Sequence, residues 1–246
     1  MHATGDSFQH WSIDMADPPP CSIPADLIRF ERPLFHLAKQ LKGRGPIRIA
    51  AIGSSSTEGE GTAPYPIRLQ TALRLRFPSR RIEVINQGKG GEEAPSELAR
   101  FDQDVIGEAP VLAIWQVGTN AIFHDGYDLN DVAAAIDAGL NRLSGLAMDV
   151  VLIDLQYAPA ILGPGKIDRA KRMVELIAEA AKKASVNVFR RFALMRHWRE
   201  VDKISPDLLI APDGLHQTDW STNCVTQALD TAIAQAAVRG TPEPII

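Results

Sequence analysis

From residue 47 onward the chain alternates between short apolar runs and longer stretches in which apolar residues recur every three to four positions. The runs are IRIAAIG (47–53), RIEVINQ (81–87), PVLAIWQVG (110–118), DVVLIDLQ (149–156) and VNVF (186–189). Each predicts a strand. The periodic stretches predict helices at YPIRLQTALRLRF (65–77), near 93–106, at LNDVAAAIDAGLNRLSGLA (129–147), at KIDRAKRMVELIAEAAKKA (166–184), near 191–201 and from about 218 to 238. Upstream, ADLIRFERPLFHLAKQLKG (25–43) has helical spacing, with Pro33 a kink or break. Strands alternating with helices predict an α/β fold, a parallel sheet with helices on both faces. VLAIW and VVLI are apolar throughout, as strands covered on both faces are. Residues 1–24 are polar and carry three prolines at 18–20, so they read as an extension, loosely ordered or draped over a domain spanning 25–240. Residues 241–246, TPEPII, read as a tail.

Length and charge narrow the functional classes. The 246 residues fit one domain better than two. Acidic residues outnumber basic ones, 30 to 26, which argues against nucleic acid as the main partner. The arginine-rich stretch at 74–81 falls where a helix should end, and reads as a solvated helix terminus. Cys21 and Cys224 have no neighbour at zinc-ligand spacing. Two reduced thiols are the default expectation, with a single bridge as the alternative. No stretch is long and apolar enough to span a membrane. The N-terminus shows no basic leader followed by an apolar core. The chain as given therefore reads as cytoplasmic, with export open if its start is processed or engineered. Oligomeric state is not legible.

In parallel α/β folds ligands sit beyond the carboxyl ends of the strands. Strand one is followed by Gly53-Ser54-Ser55-Ser56-Thr57-Glu58-Gly59, strand two by Gly88-Lys89-Gly90-Gly91-Glu92, and strand three by Gly118-Thr119-Asn120; after strand five and its helix comes Asp213-Gly214-Leu215-His216. These loops bring hydroxyls, flexible backbone amides, a side-chain amide and an Asp/His pair to one edge. That inventory suits acyl transfer. A serine hydroxyl needs a base, which His216 can be, and Asp213 can fix its tautomer. The backbone N–H groups of Gly91 and of the serine, with the Asn120 amide, can hold an oxyanion.

These four blocks, in this order, resemble the SGNH (GDSL-type) esterase/lipase family over roughly residues 47–238. The family's first block, Gly-Asp-Ser-Leu-Thr/Ser-x-Gly, laid on Gly53 to Gly59, puts the nucleophile on the middle serine, Ser55, with Thr57 and Gly59 also in register. Its second-block glycine falls on Gly91, with Asn86 and Glu92 matching; its Gly-x-Asn-Asp falls on Gly118 and Asn120, and its Asp-x-x-His on Asp213 and His216. Ser54 replaces the usual block-one Asp and Ala121 the usual Asp after Asn120. The resemblance implies a three-layer α/β/α, flavodoxin-like fold with a five-stranded parallel sheet. It implies a serine esterase with Ser55, Asp213 and His216 catalytic, and Ser55, Gly91 and Asn120 as the oxyanion hole. It implies no metal and no organic cofactor.

The expected substrate is a short acyl ester, an O-acetyl group on a carbohydrate or another small molecule, because the domain is small and its strand-end loops short. An acyltransferase with the same triad, and a non-catalytic ligand-binding domain of the same fold, are the alternatives. A phosphate nest at 53–59 is a third, although that stretch lacks the Gly-Lys-Ser/Thr ending of a P-loop. Ser54, Tyr157 and His124 are expected to line the substrate cleft, each against a bland reading as cap, wall or solvated loop. The loop APAILGPG (158–165) is either a pocket wall or a connector. The literal Gly5-Asp6-Ser7 has no strand before it to present it and is set aside.

Overall fold

A computed structural model describes residues 17–59 and 61–240. The expectations for residues 1–16 and for the 241–246 tail lie outside the described residues. The strands are β1 (Ile47–Gly53), β2 (Ile82–Gly88), β3 (Leu112–Gln116), β4 (Asp149–Ile153) and β5 (Asn187–Phe189). All pair in parallel, in the order β2-β1-β3-β4-β5. The order reverses beside β1, so the switch point of the sheet lies where β1 and β3 end.

The helices are α1 (Ala25–Ile28), α2 (Phe35–Lys42), α3 (Ser55–Glu58), α4 (Tyr65–Arg76), α5 (Ala94–Ala99), α6 (Phe101–Asp104), α7 (Asn120–Phe123), α8 (Leu129–Leu143), α9 (Pro159–Leu162), α10 (Ile167–Ala184), α11 (Arg191–Glu200), α12 (Pro206–Leu209) and α13 (Asp219–Arg239). One group, α1, α2, α4 and α13, packs together; another, α5, α8 and α10, packs together on the opposite face. Between these layers β3 is buried at every residue, which is why its sequence does not alternate. The edge strand β2 alternates over its first residues, with Ile82 and Val84 buried and Glu83 exposed between them. In α10, Ala170, Met173, Ile177 and Ala181 form the buried stripe, while Arg172 pairs with Glu175 and Glu179 in solvent.

Three expectations change in detail. The helix near 93–106 is two short helices, α5 and α6, followed by a 3-10 turn at Ile106–Glu108. The chain leaves helical geometry at Arg100, and Phe101 turns inward to pack edge-on against Trp115 at 4.7 Å. At Pro33 the helix is broken, not kinked. The intervening backbone is satisfied instead by Asn187, whose amide accepts from Arg32 N–H and donates to Arg32 C=O. The arginines at 74–81 do more than sit in solvent: Arg74 donates to the Ile82 carbonyl, and Arg80 donates to the carbonyls of Gln40, Gly43 and Gly45 at the end of α2.

The expectation of two reduced thiols is corrected: Cys21 and Cys224 form a disulfide across 203 residues. Residues 17–24 lie across α11 and α13. Trp220 donates its indole N–H to the Pro19 carbonyl at 2.8 Å, and Trp198 donates to the Ser22 carbonyl at 2.7 Å. The two indoles pack edge to face at 5.8 Å. This lay-down carries Cys21 to Cys224, one helical turn beyond Trp220. Among the described residues no helix is long and apolar enough to cross a membrane.

Candidate active site

The loop at 54–59 can sit low on the sheet because β2 ends in a glycine. A Cβ on Gly88 would stand 2.1 Å from the Glu58 backbone nitrogen, so only glycine lets α3 settle on the strand ends. Beyond β1, Ser54 is extended and the chain turns at once into α3, with Ser55 as its first residue. Three serines in a row thus point three ways. Ser54 Oγ donates inward to Gln116 Oε1 at 3.0 Å, and Ser56 Oγ donates to Gln156 Oε1 at 3.2 Å. Ser55 Oγ lies 2.9 Å from His216 Nε2.

His216 Nδ1 lies 2.6 Å from Asp213 Oδ2. The other oxygen, Asp213 Oδ1, accepts the backbone N–H groups of Leu215 (2.8 Å) and His216 (2.9 Å), which closes the Asp-x-x-His turn on itself. Burial pushes the Asp213 carboxyl up, but these backbone bonds and the His216 ring outweigh it and hold it below the usual aspartate range. Asp213 is therefore an anion at neutral pH. Gly214 in this turn accepts at its carbonyl from Ala160 N–H (2.9 Å), so the 158–165 loop, which forms α9, braces the Asp/His turn.

Gly91 has φ +77°, a conformation that favours glycine, and its N–H donates to no other described residue. The same holds for the Ser55 N–H. The preceding Gly90 N–H is held by Glu58 Oε2 at 2.7 Å. Asn120 is buried, and its amide nitrogen donates one hydrogen to the Glu92 carbonyl at 2.7 Å. An amide nitrogen has two hydrogens, so the bond to Glu92 orients the group and leaves the second for a ligand.

Two supports escaped the sequence reading. Gln116, the last residue of β3, is buried; its Oε1 accepts from Ser54 N–H, Ser54 Oγ and Thr57 Oγ1 and pins the turn before Ser55. Its signal was a lone polar residue in an otherwise apolar strand. Glu93 is buried beneath the Asn120 loop, where it accepts the N–H groups of Gly118 (2.8 Å) and Ala121 (3.0 Å). It supports that loop where Ala121 stands in place of the familiar Asp. Burial pushes Glu93 and its neighbour Glu97 up together. Glu97 is pushed up further, by its burial and by the facing Glu93 carboxyl, against one side-chain donor, Trp115 Nε1–H at 2.7 Å.

The side chains of the three expected lining residues, Ser54, Tyr157 and His124, are placed as follows. Ser54 is buried with its hydroxyl turned inward to Gln116. Tyr157 directs its hydroxyl to Glu200 at 2.8 Å and packs its ring on Phe192. His124 is exposed beyond α7 and packs its ring against Phe123. The crevice at the Ser55–His216 pair is lined instead by Ser56, Gly59, Thr62, Pro64, Gln217 and Thr222. It is small, with about 10 Å³ of internal space. A larger cavity, about 600 Å³, lies at the opposite end of the sheet, among residues such as Phe35, Leu143, Met148 and Val186, away from Ser55.

Residues 20–239 match the profile of the non-GDSL lipase-like family. The chain belongs to that family. Among solved structures it is similar to Axe2, an acetylxylan esterase from Geobacillus stearothermophilus, at 17% identity and TM-score 0.67, covering 77% of this chain and 95% of that one. It is also similar to LAE5, an alpha/beta hydrolase from the metagenome of Lake Arreo, at 20% identity and TM-score 0.64, covering 81% and 99%. At these identities the likeness shows a shared three-layer α/β/α fold. No curated protein matches the chain by sequence.

Proposed function

We propose that the chain is a carboxylic ester hydrolase that works through an acyl-enzyme on Ser55. The observation that carries this reading is the relay Ser55 Oγ–His216 Nε2–Asp213 Oδ2, at 2.9 and 2.6 Å, beside uncommitted N–H donors. Ser55 Oγ attacks the ester carbonyl carbon and passes its proton to His216 Nε2. Asp213 keeps the Nδ1 proton in place and stabilises the imidazolium. The carbonyl oxygen becomes an oxyanion, held by the Ser55 and Gly91 N–H groups and the free Asn120 hydrogen. Collapse breaks the bond to the alcohol, which leaves with the proton from His216. Water then attacks the acyl carbon, gives its proton to His216, and the acid departs as Ser55 recovers its proton.

Asn120→Ala is expected to lower kcat on p-nitrophenyl acetate by about 100- to 1,000-fold with KM nearly unchanged, because the donor acts on charge that develops in the transition state. A KM rise with kcat intact would assign Asn120 to ground-state binding instead.

The favoured substrate is a short acyl ester, an O-acetyl group on a carbohydrate. The crevice at Ser55 is lined by the hydroxyls of Ser56, Thr62 and Thr222 and the amide of Gln217, groups that suit a polar carbohydrate ester better than a long acyl chain. Axe2, with the same fold, is an acetylxylan esterase, and its catalytic mutants replace a serine, an aspartate and a histidine. Rates along p-nitrophenyl acetate, butyrate, octanoate and palmitate test this. A fall of at least tenfold in kcat/KM from acetate to octanoate is expected, and a rise would refute the short-acyl reading. The Cys21–Cys224 bridge favours an oxidising compartment over the cytoplasm.

A further inference from the structure

The side chain of Gln156, three residues past β4, is 1% exposed and makes three hydrogen bonds. Its Oε1 accepts from Ser56 Oγ at 3.2 Å and from Thr119 Oγ1 at 3.1 Å; its Nε2 donates to the Leu215 carbonyl at 3.3 Å. Each partner is the immediate chain neighbour of a group in the proposed mechanism: Ser56 of Ser55, Thr119 of Asn120, Leu215 of His216. The amide orientation is fixed by the partners, since a backbone carbonyl can only accept and must face the NH2 end.

We propose that Gln156 is a positioning residue that locks the nucleophile, the oxyanion donor and the base in mutual register. The proposal rests on the Ser55–His216–Asp213 reading above. The three loops arise 37 to 100 residues from Gln156 in the chain, so no local turn geometry can set their relative positions. One neutral amide offers two acceptor lone pairs on one atom and a donor on the other, which is what two hydroxyls and one carbonyl require. Reacting groups displaced by about 1 Å lose on the order of 100-fold in rate. Gln156 touches neither substrate nor reacting atoms; it acts through its three neighbours.

The test uses Gln156→Leu and Gln156→Glu with p-nitrophenyl acetate, alongside phosphonate labelling of Ser55. Gln156→Leu, checked for a cooperative thermal melt, is expected to lose about 10- to 100-fold in kcat while KM stays within about threefold. In Gln156→Glu the protonated carboxyl reproduces all three bonds, donating to the Leu215 carbonyl and accepting both hydroxyls. Deprotonation places an anion against that carbonyl. This variant is therefore expected to approach wild-type kcat at low pH and to gain an alkaline fall towards the Leu level that wild type lacks. If the Leu variant fails to fold, this pH profile alone decides. A folded Gln156→Leu within threefold of wild-type kcat, or a Gln156→Glu profile identical to wild type, overturns the positioning role and leaves the serine mechanism standing. A wild type that neither hydrolyses esters nor takes the label at Ser55 overturns both.

Discussion

Ser55→Ala is expected to lower kcat for p-nitrophenyl acetate by about 10⁴- to 10⁶-fold, while Ser54→Ala and Ser56→Ala stay within about tenfold of wild type. The three side chains are chemically identical and adjacent, so a difference of this size must come from direction alone. Ser55 Oγ alone among them faces His216, at 2.9 Å; the other two hydroxyls are committed to Gln116 and Gln156. Removing the nucleophile of a triad leaves the residual rate that oxyanion donors and substrate binding supply. The smaller losses at Ser54 and Ser56 reflect one hydrogen bond each to a positioning amide. Steady-state rates on the three variants, with mass spectrometry of phosphonate-labelled protein, check this. Activity that survives in Ser55→Ala and disappears in Ser54→Ala or Ser56→Ala would move the nucleophile and break the proposed relay.

Opening the Cys21–Cys224 bridge is expected to cost roughly 2–5 kcal/mol of stability and to lower the melting temperature by about 5–15 °C. The bridge closes a loop of 203 residues, and a long loop restricts the unfolded chain most. Its native-state contribution is local: it fastens residues 17–24 over Trp198 and Trp220, on the two helices that flank the segment carrying Asp213 and His216. The loss should therefore appear first in thermal melts and only weakly in kcat at 25 °C. Melting curves of oxidised protein, of dithiothreitol-treated protein with two free thiols confirmed by mass, and of the Cys21→Ser/Cys224→Ser double variant decide it. Equal melting temperatures in all three would mean that the segment is held by its indole hydrogen bonds alone.

The strand–helix alternation was legible because strands covered on both faces need an apolar centre, and β1, β3 and β4 announce themselves by such runs without any long-range information. The reactive blocks were legible for a related reason. A parallel sheet brings the ends of successive strands to one edge, so Ser55, Gly91 and Asn120 could be expected near each other from their places after strands one to three. His216 was marked by a carboxylate three residues before it, a spacing that one turn converts into a 2.6 Å contact.

What the sequence could not carry was direction and pairing across the fold. Ser54, Tyr157 and His124 lie in the right loops, yet their side chains turn to Gln116, Glu200 and Phe123, because each finds a partner there. Gln116, Glu93 and Gln156 look unremarkable along the chain. They matter because buried donors from loops up to 100 residues away need acceptors, and folding supplies these three. The same holds for Cys21 and Cys224: a pair separated by 203 residues has no local pattern, and the bridge exists because two tryptophans draw the N-terminal segment onto α13. Periodicity and strand-end position are properties of neighbouring residues and can be read from the chain, whereas the satisfaction of buried polar groups and the meeting of distant thiols belong to the packed molecule.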